Sequence, residues 1–222
     1  KDAQDEPEQI LCQAEQILQA SLVTSVGNGQ FGSVYQVNSK VAVKHVRGQL
    51  VDVMSEIRVL QLVQSENVVR LLGFAVLPSQ AYIYVEMCSG GDMGGKTFDE
   101  DSLAPLMLQL VNAVQHVHGK GAIHQDIKPR NMFLKDTRLL LGDFGCVCLQ
   151  ADAAAGQARL AGTRQYHPPD VIAGGPPTAS MDVWAVGITT WELLTGARPF
   201  RTFPCNRGWV SQPGPRDLCS NN

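Results

Sequence analysis

Five side chains of this 222-residue sequence, Lys44, Glu56, Asp126, Asn131 and Asp143, are of types that can serve phosphoryl transfer. The densest signal is His124-Gln125-Asp126-Ile127-Lys128-Pro129-Arg130-Asn131-Met132-Phe133-Leu134, followed twelve residues after Asn131 by Asp143-Phe144-Gly145. One carboxylate is needed to orient a hydroxyl and accept its proton, while an Asn and a second Asp carry the metal that bridges the phosphates. The spacing supplies all three; a solvated loop followed by a tight turn is the alternative.

Upstream, Gly27-Asn28-Gly29-Gln30-Phe31-Gly32-Ser33-Val34 has the form GxGxxGxV between two strand-like runs. Glycines there let backbone amides approach phosphates closely. Alone, the pattern fits a plain tight hairpin equally well. Val41-Ala42-Val43-Lys44 then places a lysine ten residues after Val34, where it can reach phosphate oxygens; a lysine on an edge strand is usually just solvated. Glu56 stands among Met54, Ile57, Val59 and Leu60, positioned to pair with Lys44 or to lie on the surface. Only twelve residues separate the pair, so the helix carrying Glu56 is expected to begin late.

The elements that must position these groups follow from periodicity. Ile10, Leu11, Ala14, Ile17 and Leu18 predict a short amphipathic helix in the first twenty residues. Residues 22 to 46 read as Gly-broken strands, 50 to 64 as a helix, and 68 to 77 and 81 to 87 as strands. After Ser89-Gly90-Gly91 the period turns helical: Leu103, Leu106, Met107, Leu110, Val111, Val114, Val117 and His118 share a face, with Ser102 as the expected cap. A loop with short strands over 122 to 149, an Ala/Gly-rich stretch from Ala151 to Gly162 and an apolar helix over 180 to 195 come next. Residues 201 to 222 carry no helical period and read as coil.

With 18 basic and 21 acidic residues the net charge is -3, so no overall positive field draws the chain to nucleic acid or an anionic membrane. The six cysteines contain no CxxC pair, which argues against zinc or a disulfide framework and for a reducing compartment. No apolar run approaches the ~20 residues of a membrane span, and the acidic start Lys1 to Glu8 is unlike a signal peptide. The expectation is a soluble cytoplasmic or nuclear protein, and a beginning at Lys1 rather than Met fits a fragment.

Taken jointly, these motifs resemble the eukaryotic protein kinase family over about residues 22 to 200. The resemblance implies an α+β, bilobal protein-kinase fold: a small antiparallel β-sheet lobe plus one helix over residues 21–87, and a mainly helical second lobe over 88–200 that lacks its last helices. Residues 1–20 are then an N-terminal helix or linker and 201–222 an irregular tail. ATP and Mg2+ are the implied cofactors, and a protein Ser/Thr hydroxyl the implied acceptor. Asp126 is the implied catalytic base, Lys128 steadies the transferred phosphoryl group, Lys44 pairs with Glu56, and Asn131 and Asp143 hold magnesium. Gly27, Gly29 and Gly32 cover the phosphates. Val34, Ala42 and Phe133 enclose adenine, backbone groups of Glu86 and Cys88 bond it, Asp92 reaches the ribose, and Val85 is a small gatekeeper opening a back pocket.

Lys128, two residues beyond the base, is the serine/threonine form of the motif. Leu60, Leu71, His124 and Phe144 match the side-chain stack that links the lobes. Thr163 is expected to contact Asp126 and Lys128, and Asp182 to brace the catalytic loop. Tyr166-His167-Pro168-Pro169-Asp170 resembles the end of the activation segment.

The departures carry expectations of their own. Gln125 stands where kinases switched by loop phosphorylation have a phosphate-binding arginine. Between Asp143 and Thr163 there is no Ser, Thr or Tyr. Activity is therefore expected without phosphorylation in this loop, set basally, by a partner or by the N-terminal helix. Arg130 predicts weak or no preference for an upstream arginine in a substrate, and the short polar stretch from Gly94 to Asp101 predicts a turn instead of a helix. The early end after Phe200 predicts an unpaired Asp170 carboxylate and an uncovered Trp184 helix, costing several kcal/mol. A regulatory protein partner covering that gap is expected. A non-catalytic nucleotide-binding scaffold and a small-molecule kinase are the competing readings.

Overall fold

The computed structural model describes residues 24–29, 32–47 and 50–200. The expected N-terminal helix, Gln30 and Phe31 of the glycine-rich motif, and residues 201–222 lie outside the described residues. Five antiparallel strands form one sheet in the order β1-β2-β3-β5-β4: β1 Thr24–Gly29, β2 Gly32–Gln36, β3 Val41–Arg47, β4 Leu71–Leu77 and β5 Gln80–Glu86. Strand alternation decides which side chains face the catalytic cleft. In β3, Ala42, Lys44 and Val46 share a face and pair in register with Val85, Ile83 and Ala81 of β5. Val43 and Tyr82 belong to the opposite face and pack with Ala75.

Helix α1, Leu50–Leu62, follows β3 after residues 48 and 49 alone. Its buried Val53, Ile57 and Leu60 pack with Val46, Ala81 and Ile83 in the main core. The short connection therefore costs the helix none of the turn that carries Glu56.

The second lobe contains α2 Glu100–Gly119, β6 Ala122–Ile123, β7 Met132–Lys135, β8 Arg138–Leu141, β9 Cys148–Leu149, α3 Gln150–Ala154, α4 Pro169–Ile172 and α5 Ala179–Thr195. Gly94 and Gly95 form a turn where a helix was expected to be lost. Helix α2 starts earlier than the sequence suggested. Its cap is Asp99, which accepts from the Ser102 N–H at 2.8 Å and from its hydroxyl at 3.1 Å. A carboxylate here also faces the positive helix end, so it wins over the serine. Val111 is 47% exposed, so the apolar face of α2 is narrower than its spacing implied. The Ala/Gly-rich stretch opens with α3, whose Gln-Ala-Asp-Ala-Ala sequence is rich in the best helix former.

Met181, Ala185, Ile188 and Leu193 bury α5, and α2 packs against it through Leu110 and Val117. Trp184 is partly covered by Phe200, whose ring stacks on it at 6.0 Å and 12°. Asp170 is exposed, so the cost expected for an unpaired buried carboxylate does not arise. Among the described residues no helix follows α5, and none is long and apolar enough to cross a membrane.

Candidate active site

A cleft of about 440 Å³ separates the sheet from the second lobe. Gly32, Val34 and Ala42 form its roof, Val85, Glu86 and Cys88 its back edge, and Asp92 and Phe133 its floor. Gly27 and Gly29 lie in β1, in register with Val34 and Gly32 of β2. Gly32 has φ +136, and a Cβ there would overlap the His45 carbonyl oxygen, so only glycine lets β2 lie this close to β3. Past Val85 the cleft continues to Leu60 and Glu56, a rear extension that a larger side chain at position 85 would narrow.

At the inner end Lys44 Nζ donates to Glu56 Oε1 at 2.7 Å, to Glu56 Oε2 at 2.9 Å and to Asp143 Oδ1 at 2.8 Å. Burial alone lowers the affinity of Lys44 for its proton, but the charges of Glu56 and Asp143 outweigh it and raise the pKa. Burial likewise raises Asp143, yet the adjacent Lys44 charge holds it below the usual carboxylate range. Glu56, 3% exposed, is pushed up by burial and opposed by Lys44. Lys44 is thus a fixed cation and Asp143 a fixed anion at neutral pH.

Asp126 is 3% exposed and both carboxylate oxygens are engaged. Oδ2 accepts from Lys128 Nζ at 2.8 Å and Asn131 Nδ2 at 2.9 Å, and Oδ1 accepts from the Thr163 N–H at 2.8 Å. Lys128 Nζ also donates to Thr163 Oγ1 at 2.7 Å, so Thr163 meets both residues expected of it. Asn131 Nδ2 donates again to the Asp126 carbonyl at 2.7 Å. Its amide nitrogen is committed to Asp126, which leaves Oδ1 as the atom able to bind a cation.

Asn131 Oδ1 and the Asp143 carboxylate form an oxygen-only donor set. No cluster of three or more His, Cys, Asp or Glu suited to a metal occurs among the described residues. Two oxygen donors without such a cage fit magnesium, which keeps several waters and completes its shell with substrate phosphates. Asp143 has φ +56, a left-handed conformation costly for a non-glycine residue. It aims the carboxylate at Lys44.

The loop that carries Asp126 is anchored from below. Asp182 of α5 accepts from the backbone N–H groups of His124 at 2.8 Å and Gln125 at 2.9 Å, and lies 2.8 Å from His118 Nε2. His124 meets Phe144 edge-on at 4.7 Å, and Phe144 shares the core with Leu60 of α1, with Leu71 packed alongside. This chain of contacts links α1 to the loop that carries Asp126.

Four contacts escaped sequence reasoning. Glu86 accepts from the Arg70 N–H at 2.9 Å and from Lys135 Nζ at 2.6 Å, tying the back edge of the cleft to β7. Burial raises the Glu86 carboxyl, but these two partners hold it below its ordinary value. The Tyr166 hydroxyl donates to Glu192 Oε2 at 2.6 Å. His118, read as one more member of an apolar face, reaches Asp182 instead. Each pair is separated by 16 residues or more, and neither partner carries a local signal of the other.

Comparison with known proteins places the chain in a family. The family model described as "Protein kinase domain" matches residues 21–207. An Aurora kinase of Schizosaccharomyces pombe is 32% identical over 193 residues, covering 79% of this chain and 54% of that protein. Human serine/threonine-protein kinase ULK1 is 32% identical over 162 residues, 66% of this chain and 15% of its own length. Human calcium/calmodulin-dependent protein kinase type 1B is 31% identical over 179 residues, 76% of this chain and 52% of its own. The chain therefore spans about half the length, or less, of these three relatives.

Proposed function

This chain belongs to the protein kinase family, and on that premise we propose that it transfers the γ-phosphoryl group of ATP to serine or threonine hydroxyls of protein substrates. The observation that carries the reading is the state of Asp126: a buried carboxylate fixed by Lys128, Asn131 and Thr163, in the same cleft as the Lys44, Glu56 and Asp143 cluster.

In this reading Val34, Ala42 and Phe133 enclose adenine, backbone groups of Glu86 and Cys88 bond it, and Asp92 takes the ribose. The glycine-rich turn of Gly27, Gly29 and Gly32 covers the phosphates, and Lys44, held by Glu56, grips them. Asn131 and Asp143 would hold a magnesium ion, which when bound would supply neutralisation of phosphate charge. Asp126 orients the acceptor hydroxyl and takes its proton as the new oxygen–phosphorus bond forms, and the leaving oxygen departs on ADP. Lys128 neutralises charge on the phosphoryl group in transit.

Two features support serine/threonine preference: Lys128 two residues beyond Asp126, and relatives such as ULK1 whose name carries that specificity. The absence of Ser, Thr and Tyr between Asp143 and Thr163 supports activity without phosphorylation in that stretch. The reading is tested by ATP turnover with a generic protein substrate, beside Asp126→Asn and Lys44→Met. Turnover abolished by both changes supports it. Nucleotide binding without turnover in the unaltered protein contradicts it and favours a scaffold.

A further inference from the structure

We propose that the Gln125 carboxamide is a positioning residue that clamps the stretch from Cys146 to Gly162 without any phosphate. The proposal rests on the reading above for its effect on turnover, but its geometry stands by itself.

Gln125 is 3% exposed, and both ends of its amide are used. Nε2 donates to the Cys146 carbonyl at 2.9 Å and, more weakly, to the Arg159 carbonyl at 3.4 Å. Oε1 accepts from the Ala161 N–H at 3.1 Å. One side chain thus gathers backbone groups from both ends of the stretch. Its own backbone N–H donates to Asp182 Oδ1 at 2.9 Å, so the clamp is grounded on α5.

The choice of residue follows from the partners. They are two carbonyls and one N–H, and a primary amide presents donors and an acceptor together. An arginine has no acceptor for Ala161, and a glutamate has no donor for the carbonyls. All three of these partners are neutral backbone groups, so the clamp needs no charge on the segment. That accounts for a segment without a phosphate acceptor better than loss of an arginine alone.

Two further observations show how closely the segment is drawn in. Gly162 has φ +97, and a Cβ there would overlap the Gln125 carbonyl oxygen. Gln125 itself has φ +66, a strained conformation for a side chain of its size. The next residue, Thr163, donates its N–H to Asp126 and accepts from Lys128. Loosening Ala161 therefore loosens the residue that fixes Asp126.

The test is hydrogen exchange, read by mass spectrometry on peptides covering residues 159–163 of phosphatase-treated protein. The Ala161 amide is expected to be protected in the unaltered protein. It is expected to exchange about tenfold faster or more in Gln125→Met, which keeps the length and loses the hydrogen bonds, and in Gln125→Leu, which also offers Ala161 no acceptor. Thermal melting and binding of a non-hydrolysable ATP analogue establish that each variant is folded. Turnover of protein substrate is expected to fall at least about tenfold while analogue affinity stays within about threefold.

An unprotected Ala161 in the unaltered protein overturns the proposal, and this arm holds even where a variant fails to fold. Unchanged exchange in a folded variant overturns it too, as does faster exchange with undiminished turnover. If the unaltered protein shows no turnover at all, the kinase reading fails while the exchange result still decides the clamp.

Discussion

Lys44 Nζ stands 2.7 and 2.9 Å from the two carboxylate oxygens of Glu56, across the gap between β3 and α1. Both side chains are largely withdrawn from water, at 11% and 4% exposure, so the contact acts in a medium that strengthens it and penalises its loss.

Glu56→Gln keeps an acceptor and removes the charge. Lys44 remains beside Asp143, so the variant is expected to fold with a loss of about 1–3 kcal/mol. ATP turnover is expected to fall about 10- to 100-fold, because the lysine is freer to move. Denaturant melts and steady-state kinetics check both. The raised pKa of Lys44 adds an alkaline prediction: its ammonium persists above its ordinary value of 10.5, so nucleotide affinity is expected to stay level from pH 7 to about 10.5, where an unshifted lysine would be half neutral.

The small side chain of Val85 at the back of the cleft carries a separate consequence. Val85→Phe is expected to fill the passage toward Leu60 and Glu56 while leaving the roof and floor of the cleft in place. ATP-competitive ligands with a bulky group directed behind position 85 are expected to bind at least about tenfold more weakly, roughly 1.4 kcal/mol. The KM for ATP is expected to change by less than about threefold. Paired inhibition and ATP titrations measure it.

His167 predicts acid sensitivity. It is 6% exposed, and burial holds its pKa below the ordinary 6.5 despite the neighbouring Asp126. The unfolded chain therefore binds the proton more readily than the folded one. Stability contributed by neutral His167 is complete above pH 6.5 and is lost as pH falls below it, by at most about 1.4 kcal/mol per unit. Denaturation midpoints at pH 7.5 and 5.5 are expected to differ less in His167→Leu than in the unaltered protein. Asp143 works in the same direction only at much lower pH, because its depressed carboxyl stays ionised through this window.

The stretch from Phe144 to Gly162 has no hydroxyl side chain. Phosphatase treatment is expected to leave turnover unchanged, and phosphosite mapping is expected to find no phosphate there. Loss of turnover together with a mapped phosphate in that stretch contradicts this.

What could be read from the sequence follows the range over which each signal acts. Lys44, Asp126, Asn131 and Asp143 sit in short motifs whose spacing is fixed by one strand or one loop, so residue order alone brought them to one cleft. Strand β3 was legible as a short run rich in valine, buried on both faces, and α5 because a period of 3.6 survives in Ala179–Thr195. Choices between near-equal local partners were not. Asp99 and Ser102 can each cap a helix, and only the folded backbone shows that the carboxylate does so. Pairings such as His118 with Asp182 and Tyr166 with Glu192 depend on how α2 and the activation segment lie against α5, which no local pattern specifies. Gln125 is the most instructive case: in the sequence it is the absence of an arginine, and in the fold it is three hydrogen bonds.

The central claim is tested most directly by incubating the unaltered protein and Asp126→Asn with radiolabelled ATP, magnesium and a mixed protein substrate, followed by phosphoamino-acid analysis. Label is expected on serine and threonine with the unaltered protein. With Asp126→Asn it is expected to drop at least about 100-fold while ATP affinity stays within about threefold. Equal labelling by the two proteins, or tight ATP binding with no label transferred by the unaltered one, contradicts the account.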